Sequence, residues 1–215
     1  MTAARLENKL NSLEKRVLLN DIKAITKLAE ILSDGILVRR NNKRVEALLK
    51  QGTKLRDPYL TWCLADATYH GVGVIKSIDK GLVLYKRAAR FGVADAWTAM
   101  GVHFFELGTT KSRLTAIKYY KKAAAFSEPH AIHNLGVIYS TGIGLKQNLN
   151  KAYNQFLLAA KLGNTESQFK VGWCLLHGEG TPINKGSAIR WLKKATSAGN
   201  AEAKSLLQSL NPKNL

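Results

Sequence analysis

The sequence predicts an all-α solenoid built from helix-turn-helix repeats, and three observations carry that prediction. Glycines recur at Gly71, Gly108, Gly142 and Gly178, at steps of 37, 34 and 36 residues, the period of a helical-hairpin unit. Around each glycine the same elements return in order: a hydrophobic-small pair (Leu64-Ala65, Met100-Gly101, Leu135-Gly136, Val171-Gly172), a turn, and small residues in a second helix (Ala88-Ala89, Ala123-Ala124, Ala159-Ala160, Ala195). The composition, 46% hydrophobic with four prolines in 215 residues, is that of a chain able to bury a core and not of a disordered one.

Taken from the N-terminus, Leu6, Leu10, Leu13 and Val17 stand at three- and four-residue steps and predict an amphipathic helix within residues 1–20 that covers the open end of the array. Residues 21–56 form a degenerate repeat. Leu28-Ala29-Glu30-Ile31-Leu32-Ser33-Asp34-Gly35 echoes the run from Leu135 to Gly142, and Val45 to Gly52 supplies a shortened second helix. Residues 57–200 hold four full repeats. In each, the small residue of helix A permits close helix approach, and the glycines of Gly71-x-Gly73, Gly142-x-Gly144 and Gly178-x-Gly180 supply the positive φ of a helix exit. Helix B ends on Gly92, Gly163 or Gly199. The second repeat departs from this pattern, because Leu107-Gly108-Thr109-Thr110 lacks the second turn glycine. Residues 201–215 supply a closing helix, Ala201 to Leu210, and a tail in which Pro212 ends structure. No unit of this kind buries its apolar face alone, so the repeats are stable only as an array.

Together these elements resemble the Sel1-like repeat family, relatives of the tetratricopeptide repeat, over residues 57–200. The resemblance implies helix pairs stacked into a right-handed superhelix, and a protein-interaction scaffold that catalyses nothing. Its members act as adaptors, signalling components, bacterial effectors and immunity proteins.

Helix A carries the expected binding residues. With the Leu of Leu135-Gly136 as position zero and about 100° per residue, positions minus five, minus two, plus two and plus five point away from the core. They hold Tyr59, Trp62, Asp66 and Tyr69 in the first repeat, and Asp95 and Phe105 with Thr98 and Val102 in the second. His130 and His133 fall there in the third repeat; Glu166, Phe169 and Trp173 in the fourth. An outward face should be polar, so these rings are expected to anchor a protein partner on the concave side of the array. The competing reading is that the rings fill gaps between successive helices.

The net charge of +18, with a pI near 10.0, favours an acidic partner through long-range attraction. Basic pairs recur in helix B at Lys86-Arg87, Lys121-Lys122 and Lys193-Lys194, and a further run, Arg39, Arg40, Lys43 and Arg44, falls in the turn of the degenerate repeat. An acidic protein partner is expected. The alternative is a nucleic-acid-binding protein that uses the helix B stripe, weakened by the lack of interleaved aromatic residues.

Other chemistry finds little footing. His130 and His133 share a helix face without a supporting acid or cysteine, so no metal and no cofactor is expected. Cys63 and Cys174 belong to no ligand spacing and read as free core residues of a reducing compartment. Cys174 beside His177 lacks an orienting acid for nucleophilic catalysis. Glu7, Glu14 and Asp21 interrupt any acid-poor presequence, and no apolar run nears the roughly 18 residues of a membrane span. The expected location is the cytoplasm.

Overall fold

A computed structural model describes residues 3–210, and among these residues it contains helices and no strand. The chain is all-α, a helical-repeat solenoid as expected, and divides into two compact units, residues 1–96 and 97–215. The first unit holds α1 (Ala3–Leu18), α2 (Ile22–Asp34), α3 (Asn42–Lys54), α4 (Pro58–His70), α5 (Ile78–Arg90) and the start of α6 (Ala94–Glu106). The second holds the body of α6, then α7 (Thr110–Ala124), α8 (Pro129–Thr141), α9 (Leu149–Lys161), α10 (Thr165–His177), α11 (Lys185–Ser197) and α12 (Ala201–Ser209). Pro212 lies outside the described residues.

Local chemistry sets the helix ends. Asp57, Asn164 and Asn200 cap α4, α10 and α12, each accepting the N–H of the third residue on at 2.7 Å. Pro58 and Pro129 occupy the first turn of α4 and α8, where the missing N–H would be unpaired anyway. Gly71, Gly142 and Gly178 then end α4, α8 and α10 in the left-handed conformation, with φ of 80°, 75° and 74°.

In the first unit α1 behaves as its periodicity predicts. Leu13 and Val17 are buried with Ile25, Leu28, Leu48 and Leu60, and Leu10 packs against them. The degenerate repeat corrects the sequence reading in one respect: its second helix is not shortened. The side chain of Asn41 accepts the N–H of Arg44 at 3.1 Å, and this cap starts α3 at Asn42. Lys43 and Arg44 therefore belong to the helix, not to the turn that carries Arg39 and Arg40.

In the second unit the two halves of the repeat motif meet. A Cβ added at Gly136 would lie 2.6 Å from Phe156 Cε1, at Gly172 2.7 Å from Leu192 Cγ, and at Gly101 2.5 Å from Tyr120 Cε1. The small residue of helix A is thus the socket for the large residue of helix B in the same repeat. Loss of the second turn glycine in the second repeat also has a simple outcome. Only Leu107, Gly108 and Thr109 separate α6 from α7, whereas residues 142–148 separate α8 from α9. Thr109 caps α7 directly, accepting the Ser112 N–H at 3.1 Å.

Both cysteines are free, Cys63 half-buried in the first unit and Cys174 buried in the second. Burial pushes the Cys174 thiol up to about 11 and raises that of Cys63, so neither is an activated nucleophile.

Candidate protein interface

The outward positions of helix A divide by what their side chains already do. In the first unit Tyr59 is 50% exposed and stands 6.1 Å from the ring of Trp62, which is half-buried. Asp66 is engaged inside its own repeat, where it accepts the Tyr85 hydroxyl at 2.8 Å. Burial, and then that bond, push the Tyr85 hydroxyl well above its ordinary pKa. Tyr69 is half-buried with its ring 5.7 Å from that of Tyr85. Asp95 is exposed in the first turn of α6. Between α2 and α4 lies a groove of about 200 Å3, walled by Ala29, Glu30, Val45, Tyr59 and Cys63.

In the second unit several of the same columns hold one repeat to the next. Asn164, the cap of α10, donates from Nδ2 to His130 Nδ1 at 3.3 Å, and Asn200, the cap of α12, donates to Glu166 Oε1 at 3.1 Å. Each bond runs from a helix cap to the minus-five residue of the preceding helix A. His133 Nδ1 shares a 2.8 Å hydrogen bond with Ser167 Oγ. Glu128 does the same work one layer earlier. It caps α8 by accepting the Ala131 N–H and also accepts the Thr98 hydroxyl, both at 2.6 Å. Sequence reasoning missed this ladder, though its signal was present: Gly163-Asn164 and Gly199-Asn200 place a capping amide after helix B of the third and fourth repeats.

Burial, helped by the nearby charge of Lys170, pushes the His133 imidazole down to about 4 from its ordinary 6.5. Between these values the unfolded chain binds a proton that the folded chain refuses, so stability is complete above about pH 6.5 and falls as the pH drops toward 4. At pH 5 the loss is expected to be about 2 kcal/mol relative to pH 7.5. His133→Gln should flatten that dependence, and thermal unfolding of both proteins at the two pH values checks it. Equal slopes would place the proton elsewhere.

Two of the expected rings behave differently from one another. Phe169 is not outward: at 7% exposure it packs with Leu192, Ala195 and Ala203. The stripe facing the core is wider than the wheel allowed, because Ala203 of α12 joins Leu192 and Ala195 of α11 against Phe169, whose remaining surface lines the recess between α10 and α12. Trp173 remains 37% exposed. Its indole N–H donates to Glu179 at 3.2 Å, and its ring stacks on His177 with centroids 4.0 Å apart. Trp173 walls two recesses. One, of about 170 Å3, lies between α8 and α10 and includes Val137, Ser140 and Phe156. The other, of about 710 Å3, lies between α10 and α12 and includes Glu202, Ser205 and Leu206. Lys170 lines both. It is half-buried and, among the described residues, forms no salt bridge; its ammonium sits 5.6 Å from the Phe169 ring centre. Phe105, half-buried, borders a smaller recess with Tyr120 and Asn134.

The basic residues are also sorted by contact. Arg44 pairs with Glu14 of α1, and Arg40 Nε donates to the Ser33 carbonyl at 2.7 Å. Arg39 and Lys43 are exposed. Lys86, Arg87, Lys121, Lys122, Lys193 and Lys194 are all exposed. Several rest on rings of their own surface: Lys122 lies 4.5 Å from the Trp97 centroid and Lys194 5.3 Å from that of Trp191. Among the described residues no three His, Cys, Asp or Glu side chains gather as a metal site would require, and no helix is long and apolar enough to cross a membrane.

This architecture is shared with known proteins. A Sel1 repeat protein from Oxalobacter formigenes superposes with a TM-score of 0.85 at 28% identity, over 96% of this chain and 60% of its own. An immunity protein from Pseudomonas aeruginosa superposes with a TM-score of 0.62 over 87% of this chain and 72% of its own, at 19% identity, a likeness of fold alone. The exopolysaccharide production negative regulator of Rhizobium meliloti (strain 1021) is 29% identical over 140 residues, which cover 58% of this chain and 52% of the regulator. The chain therefore spans about half the length of that relative. Sel1 repeats match at residues 22–48, 64–92, 95–125, 129–164 and 165–200, so the stretch read as degenerate is a repeat in its own right. Proteins of this kind mediate protein–protein interactions. By these five matches and the architecture that accompanies them, the chain belongs to the Sel1 repeat family.

Proposed function

We propose that this chain is a non-catalytic scaffold that holds a dedicated acidic protein partner on the helix A face, in an immunity or regulatory role. The observation that carries the reading is the surroundings of Trp173. A large ring with about a third of its surface open to solvent stands between two recesses, beside a half-buried lysine that, among the described residues, forms no salt bridge, although Glu202 and Glu179 each share a recess wall with it. An amphipathic ring next to an apolar recess is the usual form of an interface anchor, and an unpaired, partly desolvated ammonium gains most from a carboxylate brought by the partner. Kinship with a negative regulator supports a regulatory role.

The competing nucleic-acid reading is separated by salt. Affinity capture from the native host is expected to recover one protein in stoichiometric amount, while duplex DNA and single-stranded RNA show no retardation at low salt. Retardation that fades steeply as salt rises, in proportion to the phosphates neutralised, would overturn the protein-scaffold reading in favour of the helix B stripe.

A further inference from the structure

We propose that the first unit carries a separate anion-binding groove on its helix B side, built to take an acidic segment of a protein. Arg56, Lys86, Arg87 and Arg90 line a groove of about 570 Å3 with Val83 and Phe91, and no Asp or Glu is among its walls. The acid next to Arg56 in the sequence, Asp57, is engaged in capping α4. Among the described residues none of the four cations forms a salt bridge. Arg87 is held in place instead, donating from Nη2 to the Thr53 carbonyl at 2.9 Å, with its guanidinium carbon 5.6 Å from the Phe91 centroid. Arg56, Lys86 and Arg90 are exposed and face the groove as unpaired charges.

Arg56 makes this more than a basic surface. It stands directly before the cap of the next helix, in the column that holds Gly92, Gly163 and Gly199 in three repeats and Ser127 in another, and it adopts the same left-handed conformation at φ 60°. Among the described residues the other non-glycine residues at positive φ are Asn20 and Ser127, both short and polar. A residue other than glycine is uncommon there, and glycine would make the same turn at lower cost. Cations near helix C-termini also complement the dipole, which accounts for Arg87 and Arg90 in the last turn of α5. It does not account for Arg56, since Lys54 already serves the end of α3.

The occupant follows from what the groove lacks. Single-stranded nucleic acid is held by bases stacked on free aromatic faces, whereas the one ring here is half-buried beneath Arg87. Flexible carboxylates from a run of Glu or Asp need no ring, and they meet a chain of net charge +18. This groove rests on the proposed acidity of the partner but not on the helix A face, so the two surfaces are tested apart.

The probe is a fluorescein-labelled dodecamer of glutamate, with an oligouridine of the same length beside it, titrated by anisotropy at low salt. The full chain is expected to bind the glutamate peptide. Lys86→Glu with Arg90→Glu should weaken it more than about tenfold, and Arg56→Gly about fivefold with an unfolding temperature equal to or above the parent. Lys193→Glu with Lys194→Glu, the same charge change in the second unit, should alter it less than about twofold. The helix A reading is tested separately, on Trp173→Ala against the captured partner, which keeps failure here distinct from failure there. No binding by the parent, an equal loss in the second-unit control, or parental affinity in Arg56→Gly would overturn the groove. Tighter binding of oligouridine, lost in the same variants, would overturn the assignment to an acidic protein.

Discussion

Gly136→Leu and Gly172→Leu are each expected to destabilise the second unit by about 3 kcal/mol, the upper part of the usual cost of overpacking. The reason lies in the socket each glycine forms. At Gly136 the Phe156 ring stands where a Cβ would go, and that ring is itself buried at 3% exposure, so it has nowhere to withdraw. At Gly172 the neighbour is Leu192, fully buried, and the Ala188 carbonyl 3.3 Å away closes the other side. For a chain of this size the unfolding temperature should fall by about 6 to 12 °C. Gly186→Ala is the matching control. It lies in the first turn of α11 with no positive φ, and an added Cβ would meet only Asn184 Oδ1 at 3.8 Å, an ordinary contact, so alanine should leave stability unchanged or raise it by up to about 1 kcal/mol. Melting temperatures that stay at the parental value in both leucine variants would show that helix A and helix B do not meet through these positions.

These sockets illustrate what was legible in the sequence and what was not. Period, helix ends and small-residue columns are encoded locally. Gly142 must end α8 because its φ is 75°, and Leu135-Gly136 must face inward because Phe156 arrives one helix later. The full length of α3 was missed because its start rests on a cap, Asn41, that is hidden within a basic run. The helix A face was only partly legible for a different reason. A helical wheel treats a helix as having one buried side, whereas α10 has its repeat partner α11 on one side, α9 on another and Ala203 of α12 against Phe169. Residues such as His130 and Glu166 point outward on the wheel and are then engaged by the capping amide of the next repeat. Contacts of that sort depend on the stacking of two units about 34 residues apart, which no single-helix pattern contains.

The same distinction separates Phe169 from Trp173, four residues apart on one helix and alike in the sequence. Phe169→Ala empties a buried site among Leu192, Ala195 and Ala203, and should cost about 3 to 5 kcal/mol of folding stability. Trp173→Ala removes a ring that is 37% exposed, whose polar contact, to Glu179, is itself exposed, and should cost less, about 1 to 3 kcal/mol. Affinity should show the reverse order. If Trp173 anchors the partner, its truncation should cost at least about 2 kcal/mol of binding, near a thirtyfold rise in Kd. Trp62→Ala and Tyr59→Ala ask the same question of the first unit, where the two rings stand 6.1 Å apart. The measurements are thermal unfolding and titration of the captured partner, made on each variant. Trp173→Ala that unfolds as readily as Phe169→Ala, or that binds within about twofold of the parent, would assign the helix A rings to packing between repeats and leave the partner to be sought on another surface.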